Sequence, residues 1–331
     1  MVVSDLVSVI VLNWNGKRFL RECLESLCHQ TYMAVEFIFV DNDSTDGSVD
    51  CVIEHFPCMR VVKLDRNYGF AGGNRKGLEY CHGDYIALLN NDTRVERSWL
   101  ENLVSPMMKD SSVGICASKL LVDATGRIDS AGDVLTTWGV GFKRGCGGDP
   151  DLYLDEQHVF GACAAAALYR RTMLEDVGFL DEDFFFNDED TDLNFRAQLA
   201  GWKCLFVPSA VVFHKVNATI GNRSDLHVYY HVRNLEFLWL KNMPKALMLR
   251  YAHHKLIQEL GSFLYLCVRH GKWQSFFKGK RDALKLFPRM LRKRYEVQAK
   301  RRVTNAYLQK QFLPIWSTAL LKQKIRQFVF G

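Results

Sequence analysis

The first 90 residues alternate between short apolar runs and longer segments in which apolar residues recur every three or four positions. The runs are typical of buried strands, and the longer spacing is typical of amphipathic helices. A Gly-rich stretch at 66–73 is predicted to be a loop. Strands are predicted at residues 7–12, 35–40, 60–64 and 84–89, and helices at 17–30, 49–56 and 74–81. This alternation predicts βαβ units, and therefore an α/β fold with a mostly parallel, doubly wound sheet.

The pattern is less regular from about residue 100 to residue 225. Residues 161–169 predict a buried strand or the start of a helix, and the Gly-rich segment 137–154 predicts a mobile loop. Further helices are predicted at 99–109, 173–177 and 190–200, and strands at 114–122, 128–135, 203–207 and 210–213. From about residue 226 the pattern is helical and basic.

Charge divides the chain into two parts. Residues 1–240 carry 22 Lys and Arg against 34 Asp and Glu, a balance of −12, whereas residues 241–331 carry 21 against 3, a balance of +18. The division predicts one domain at 1–240 and a basic helical extension at 241–331. The acidic body is a poor surface for nucleic acid, and the basic extension favours an anionic membrane surface.

One part of the extension has basic and apolar residues in alternation. We expect this segment to dock on the body and to touch the cytoplasmic membrane surface, so that binding is peripheral and salt-sensitive. A solvated helical bundle that only covers the body is the alternative. The basic residues are Arg289, Arg292, Lys293, Arg294, Lys300, Arg301 and Arg302, and the apolar residues are Leu284, Leu286, Phe287, Met290 and Leu291.

Cysteine usage and the amino terminus bear on location. None of the ten cysteines forms a Cys-x-x-Cys pair, and several lie in apolar runs, which predicts reduced core thiols. The amino-terminal segment has no basic region and includes Asp5, unlike a signal peptide. The sequence contains no run of about 18 apolar residues, so no membrane-spanning helix is predicted. We therefore expect a cytoplasmic protein, peripheral at the inner face of the membrane.

Polar clusters follow the predicted strands, where parallel sheets bind ligands. Asp41 and Asn42 have the side chains to bind a pyrimidine base or ribose hydroxyls. Asp92 is suited to a hard divalent cation that neutralises a diphosphate, and His214 is a candidate partner. Turn and helix-cap chemistry is the alternative for each cluster.

A fourth cluster places four acids within five residues after three consecutive phenylalanines, in the order FFFNDEDTD. Acids so close repel one another, and the aromatic residues would remove water from part of the cluster. Either a general base in a partly apolar pocket or a well-capped helix start accounts for the pattern. The first strand-to-helix turn, LNWNGKRF, has one glycine, which argues against a dinucleotide-binding turn.

Taken together, these motifs resemble family 2 glycosyltransferases of the GT-A fold, and most closely their rhamnosyltransferase-like bacterial branch. The resemblance covers about residues 5–240. It is carried, in order, by VSVIVLNWNG, VDNDSTDGS, NYGFAGGNRKG, LLNNDT, FFFNDEDTDLNFRAQLAGW and VVFH. It implies a nucleotide-binding half at about 1–100 and an acceptor-binding half at 101–240.

The resemblance also implies roles for single residues. Asp190 matches the catalytic base of the family, and Glu189 and Asp192 match acceptor-contacting positions. Asp92 matches the last carboxylate of the metal motif, which reads Asn90-Asn91-Asp92 here, and His214 matches a metal-ligand histidine. Asp43 stands where relatives often have Asn. The expected contacts to the nucleotide sugar are Leu12, Asn15, Asp41, Asn42, Asp43, Asn67, Gly72, Asn74 and Asn91.

The resulting hypothesis is an inverting, metal-dependent glycosyltransferase that acts in surface polysaccharide synthesis. It would use Mg²⁺ or Mn²⁺ and a dTDP- or UDP-sugar, with rhamnose as one candidate, and transfer the sugar to a glycan or lipid-linked hydroxyl. A homodimer through the C-terminal helices is left open. The alternatives are a sugar-nucleotide pyrophosphorylase, which would need a Gly-rich basic loop after the first strand, and a non-enzymatic module whose basic tail grips nucleic acid.

Overall fold

The computed structural model describes residues 5–216, 224–314 and 317, so residues 315, 316 and 318–331 of the predicted extension lie outside the described part. Its strands are β1 (Val7–Asn13), β2 (Val35–Asp41), β3 (Met59–Lys63), β4 (Tyr85–Asn90), β5 (Thr93–Val95), β6 (Val113–Val122), β7 (Ile128–Ser130), β8 (Asp133–Thr136), β9 (Gly141–Lys143), β10 (Gln157–Val159), β11 (Ala166–Arg170), β12 (Lys203–His214) and β13 (Phe312–Leu313).

The helices connect these strands and then form the carboxy-terminal part. They are α1 (Lys17–Cys28), α2 (Ser48–His55), α3 (Gly69–Leu78), α4 (Trp99–Lys109), α5 (Arg171–Val177), α6 (Glu189–Leu199), α7 (Asp225–Asn242), α8 (Lys245–Arg250), α9 (Ala252–Phe263), α10 (Trp273–Lys285), α11 (Phe287–Ala299) and α12 (Asn305–Gln311). A π-helical turn, Leu264–Arg269, continues α9.

The central sheet has the strand order β10-β12-β6-β11-β4-β1-β2-β3. Strands β3, β2, β1 and β4 are parallel, as are β6 and β12, whereas β11 runs antiparallel between β4 and β6. The carboxyl ends of β1, β2, β4 and β12 therefore share one edge of the sheet, which is where ligands bind in such folds. The predicted α/β fold with a mostly parallel sheet is confirmed. The sequence pattern did not show that β11 is antiparallel to its neighbours.

Both faces of the sheet are covered. Alternate residues of β1 pack in opposite directions, so that Val9 and Val11 join the cluster under α1, α2 and α4, while Ile10 joins the cluster under α3, α5 and α6. This arrangement follows from the period of two along a strand. Helices on both faces make the sheet doubly wound, as predicted.

Three local predictions were wrong. Helix α3 begins at Gly69, so the glycines at 69–73 lie in its first turns rather than in a loop. Residues 203–214 form one strand with an irregularity between Val207 and Val211, because β12 pairs with β6 along its whole length. The predicted loop at 137–154 contains β9, which pairs with β8.

The carboxy-terminal helices pack directly on the body. Leu135 and Phe195 of the body share one apolar cluster with Leu247, Val297 and other tail residues. The basic tail also pairs with acids of the body: Lys293 contacts Asp181 and Asp183, and Arg302 contacts Asp176 at 2.7 Å. Docking of the extension on the body is therefore observed.

The docked surface includes part of the segment that was predicted to face a membrane. Met290 is fully buried, and Arg289 pairs with Asp183 at 2.7 Å. Leu284 and Phe287 remain exposed. Three of the seven basic residues of the run, Arg289, Lys293 and Arg302, therefore pair with acids of the body.

Two cysteines also depart from the prediction of core thiols. Cys28 and Cys58 are exposed, with their Sγ atoms 2.9 Å apart.

Candidate active site

A cleft of about 460 Å³ opens at the carboxyl edge of the sheet. It is lined by six of the residues predicted from the sequence, which come from the ends of four strands and from the loop before α3. They are Leu12, Asn42, Asn67, Asn91, Asp92 and His214. The parallel arrangement of β1, β2, β4 and β12 explains why residues so far apart in sequence meet here.

Amide side chains fix the floor of this cleft. Asn91 donates from Nδ2 to Oδ1 of Asn13 at 2.7 Å. Asn42 donates to Oδ1 of Asn67 at 2.9 Å and accepts from the backbone N–H of Tyr68 at 2.9 Å. These amides are thus held in defined orientations by their neighbours before any ligand arrives.

Other predicted nucleotide contacts lie beside the cleft. Asp41 accepts from Asn13 and from the backbone N–H of Ser44 at 2.9 Å, and Asn15 accepts from Thr45 N–H at 2.8 Å, so both shape the strand-end turns. Asp43 is exposed with a positive φ of 66°. Gly72 and Asn74 lie within α3 and are buried. A Cβ on Gly72 would lie 2.9 Å from Tyr68, and Asn74 donates a hydrogen bond to the Phe70 carbonyl.

His214 is held between two carboxylates. Its Nδ1 lies 2.8 Å from Oδ2 of Asp129, and its Nε2 lies 3.4 Å from Oδ1 of Asp92. Burial works to lower the pKa of His214, but the hydrogen bonds with Asp129 and Asp92 raise it to about 9. Asp129 also binds Nζ of Lys143 at 2.8 Å, and Lys143 lines the cleft.

The chemistry of this pair fits a divalent cation. Asp92 Oδ1 and His214 Nε2 are close enough to bind one ion together, and oxygen and imidazole nitrogen are both ordinary ligands of Mn²⁺. No group of three or more His, Cys, Asp and Glu side chains with metal-binding geometry exists among the described residues. Remaining ligands would therefore come from diphosphate oxygens and water.

Asp190 lies at the start of α6, next to the segment that leads into the interior strand β11. Its Oδ2 accepts from the backbone N–H of Ala164 at 3.2 Å, and its Oδ1 accepts from that of Thr191 at 2.7 Å. Burial raises the pKa of Asp190 above its ordinary value, although both hydrogen bonds oppose the rise. A carboxylate whose pKa is raised in this way is better matched to accept a proton near neutral pH.

The other acids around Asp190 differ in environment. Glu189 is buried with no hydrogen-bond partner for Oε2, and burial together with the Asp190 charge raises its pKa well above the usual range. Asp133 of β8 is also buried, and burial followed by the Asp190 charge raises its pKa strongly. Asp190 is thus the member of this group whose charge is best supported by hydrogen bonds.

Asp192 is not positioned to contact an acceptor. It is fully buried, its Oδ2 accepts from Nε of Arg196 at 2.8 Å, and its carboxylate also binds Lys241 and Asn242. The prediction for Asp192 was therefore wrong, because the helical period turns residue 192 away from the side that carries residue 190.

The loop before α6 has an unusual backbone. Phe185, Asn187 and Asp188 have positive φ values of 60°, 67° and 65°. Asn and Asp adopt positive φ more readily than other side chains do, whereas a bulky residue such as Phe185 rarely does. Asn234 of α7 holds the loop by donating to three carbonyls, those of Phe184, Phe186 and Asn187. The Phe185 carbonyl in turn accepts from the first amides of α3.

Sequence reasoning missed several of these residues. Asp129, Lys143 and Asn234 carry no motif, and they approach the cleft from β7, β9 and α7. The sequence offered a signal for Asp129 alone: it is a carboxylate inside the strand predicted at 128–135, and a buried acid needs a partner.

Comparison with known proteins places the chain in a family. The profile described as glycosyl transferase family 2 matches residues 8–178, more than half of the chain. The chain belongs to glycosyl transferase family 2. The glycosyltransferase GlyG of Streptococcus pneumoniae is 32% identical over 117 residues, which cover 34% of this chain and 39% of GlyG. A longer match, 21% identical over 300 residues, covers 82% of this chain and 87% of the N-acetylglucosaminyl-diphospho-decaprenol L-rhamnosyltransferase of Mycobacterium tuberculosis.

Solved structures show the same fold. The TM-score is 0.59 to GalNAc-T7 with UDP, GalNAc and Mn²⁺, at 18% identity, covering 72% of this chain and 49% of that one. It is 0.54 to the mannosyltransferase PcManGT of Pyrobaculum calidifontis with GDP-Man and Mn²⁺, at 16% identity, covering 99% and 88%. The GT-A fold implied by the resemblance is thereby confirmed for this family 2 chain. Family membership favours sugar transfer over the pyrophosphorylase and nucleic-acid-binding alternatives.

Proposed function

We propose that the chain is an inverting glycosyltransferase that uses a nucleotide-diphosphate sugar. The observation that supports the proposal is the link between the Asp92–His214 pair and Asp190 through Lys143, which pairs with Asp129 beside His214 and whose charge acts to lower the raised pKa of Asp190. Residues 1–100 would mainly bind the nucleotide, residues 101–240 the acceptor, and residues 241–331 form the basic extension.

The chemistry would proceed by direct displacement. Asp190 accepts the proton of an acceptor hydroxyl while that oxygen bonds to the anomeric carbon from the face opposite the diphosphate. The bond from the anomeric carbon to the diphosphate oxygen breaks at the same time, which inverts the configuration. Lys143, at the cleft wall, adds positive charge near the leaving group.

Asp92 and His214 would hold Mg²⁺ or Mn²⁺. Such a cation, when bound, supplies positive charge to a diphosphate leaving group. The chain's own contribution is to orient both ligands: Asp92 follows strand β4, and the ring of His214 is fixed by Asp129.

The finer identity rests on similarity. The match to a rhamnosyltransferase along most of the chain supports rhamnose as one candidate sugar, and the proposed donor is a dTDP- or UDP-sugar. The name of that relative, which includes diphospho-decaprenol, also supports a glycan or lipid-linked acceptor, and the proposed role is surface polysaccharide synthesis at the cytoplasmic side of a membrane. The structure has no helix within its described residues that is long and apolar enough to cross a bilayer.

A donor screen tests the proposal. The purified chain is incubated with Mn²⁺ or Mg²⁺ and with dTDP-, UDP- and GDP-sugars in turn, and nucleoside diphosphate release is measured with and without candidate acceptors. We expect release with one nucleotide class, strongly reduced in Asp190→Asn. Release that is equal in the wild type and in this variant would contradict the proposed mechanism.

A further inference from the structure

Helix α9 and the π-helical turn after it carry their polar side inward and their apolar side outward. Leu256, Leu260 and Val268 are 70%, 61% and 61% exposed. Leu264 is half exposed, and Leu249 of the preceding helix α8 is also exposed. These positions recur about every four residues, so they form one stripe along the helix.

The inward side of α9 is charged and satisfied. Lys255 is buried and contacts Glu259 at 2.6 Å and Glu236 of α7 at 3.2 Å. Lys280 of α10 pairs with the same two glutamates. This network anchors the helix to α7 and α10, so the outward stripe is held in place rather than being free to turn inward.

We propose that this outward stripe docks on an anionic lipid surface. The stripe is defined as Leu249, Leu256, Leu260, Leu264 and Val268. An exposed apolar face of this extent marks an interaction site in a water-soluble fold, and an apolar helix face bounded by cations is suited to the interface of an anionic bilayer.

Charge favours lipid over a second copy of the chain. Lys245, Arg250 and Arg269 are exposed near the stripe, whereas Glu259, the one acid of residues 241–272, pairs with Lys255 and Lys280. Two such surfaces would repel each other, whereas anionic headgroups would attract them. The membrane contact proposed here is therefore at α9, whereas the sequence predicted it at the basic and apolar run around α11.

A second cleft, of about 510 Å³, opens beside the stripe and supports the same choice. Its lining includes Ile257, Gly261 and Tyr265, which are neighbours in sequence of stripe residues, and Gly141 of β9. Gly141 lies against Thr191, since a Cβ there would be 2.7 Å from Thr191 Oγ1, and Thr191 neighbours Asp190. A lipid surface docked on the stripe would bring a lipid-linked acceptor next to this cleft, whereas a second copy on the stripe would bring none. This step, unlike the argument from charge, rests on the proposed function.

Co-sedimentation with vesicles tests the proposal. The full chain is mixed with vesicles of phosphatidylcholine alone or of phosphatidylcholine with phosphatidylglycerol, at low and high salt. The test variant is Leu256→Gln/Leu260→Gln/Leu264→Gln. The matched control is Met33→Gln/Met108→Gln/Leu152→Gln, which changes three equally exposed apolar residues of the body.

We expect the wild type and the control to bind anionic vesicles, more weakly at high salt. The test variant should bind anionic vesicles at least about tenfold more weakly than the wild type, because three leucines no longer enter the interface. Equal binding of the test variant and the wild type, or no binding by the wild type, would overturn the proposal.

Two further measurements identify other occupants. If light scattering shows a wild-type dimer that the test variant lacks, and vesicles are not bound, a second copy occupies the stripe. If the test variant melts at a lower temperature without any vesicle binding, another segment of the chain covers it. Failure of the donor screen would leave the vesicle result unchanged, so the two proposals fail separately.

Discussion

The imidazole ring of His214 lies between Asp129 and Asp92, with its Nδ1 2.8 Å from the first carboxylate and its Nε2 3.4 Å from the second. When Nε2 gives up its proton, as binding a cation requires, Nδ1–H still donates to Asp129 and the lone pair of Nε2 faces the cleft. A carboxylate that fixes the tautomer of a histidine in this way is typical of metal sites. Asp129 is thus a positioning residue for the proposed cation site.

We expect Asp129→Asn to weaken Mn²⁺ binding about 10- to 100-fold, because the amide no longer fixes the ring of His214. Titration of the purified protein with Mn²⁺, followed by calorimetry or by the electron paramagnetic resonance of free Mn²⁺, measures this directly. Asp155→Asn, at an exposed position, is the control. Unchanged Mn²⁺ affinity in Asp129→Asn would show that the Asp129 contact does not orient a ligand.

Removal of the divalent cation should abolish transfer. Asp92→Ala is expected to weaken both donor binding and turnover, because Asp92 is the proposed carboxylate ligand at the cleft. His214→Ala should have a milder effect, since diphosphate oxygens and waters still bind the ion. Chelation followed by readdition of Mg²⁺ or Mn²⁺ checks this prediction. Full activity after exhaustive chelation would rule out the role of Asp92 and His214 as metal ligands in catalysis.

Asp190→Asn should reduce turnover by roughly 10²–10⁴-fold while donor affinity stays close to that of the wild type. The amide keeps the shape of the side chain but cannot accept the hydroxyl proton. Nucleotide release gives the rate, and donor titration gives the affinity. If turnover were nearly normal, Asp190 would not be the base, and Glu189 would be the next residue to substitute.

The pH profile should reflect the environment of Asp190. A base must be deprotonated to act, and burial raises the pKa of Asp190 above the ordinary 3.8. Activity should therefore be complete at higher pH and be lost as the pH falls through this raised pKa, earlier than for an exposed aspartate. The measurement is kcat/KM against pH with metal in excess. An acid limb at or below the ordinary aspartate pKa would contradict the assignment.

Much of this site could be predicted because strand-end motifs are local in sequence. Asp92 follows an apolar strand, and the parallel sheet brings it to the same edge as Asn42 and His214. The contribution of Asp129 could not be predicted, because it depends on how β7 pairs with β6 and on which face of that short strand meets β12. The same holds for Asn234, whose role depends on the docking of α7 against a loop almost 50 residues earlier.

Asp192 illustrates the opposite case, in which a motif position has a structural role. It is fully buried and pairs with Arg196 at 2.8 Å and with Lys241 at 2.9 Å, so it joins α6 to α7. Replacement of Asp192 by Asn would remove a negative partner from the buried cations Arg196 and Lys241. Breaking a buried pair in this way costs about 3–5 kcal/mol of unfolding free energy. The expected effect of Asp192→Asn is therefore on stability and not on acceptor KM.

The pH dependence of stability provides a second check on Asp192. Burial works to raise its pKa, but Arg196 and Lys241 outweigh burial and lower it below 3.8. A pKa that is lower in the folded state stabilises the fold above the unfolded value of about 3.9. That contribution is lost as the pH falls through the folded pKa. Thermal unfolding of wild type and Asp192→Asn should therefore differ most near neutral pH and converge in acid. An unchanged melting temperature at pH 7 with a raised acceptor KM would restore Asp192 to the acceptor site, since only an acceptor contact would affect binding without affecting the fold.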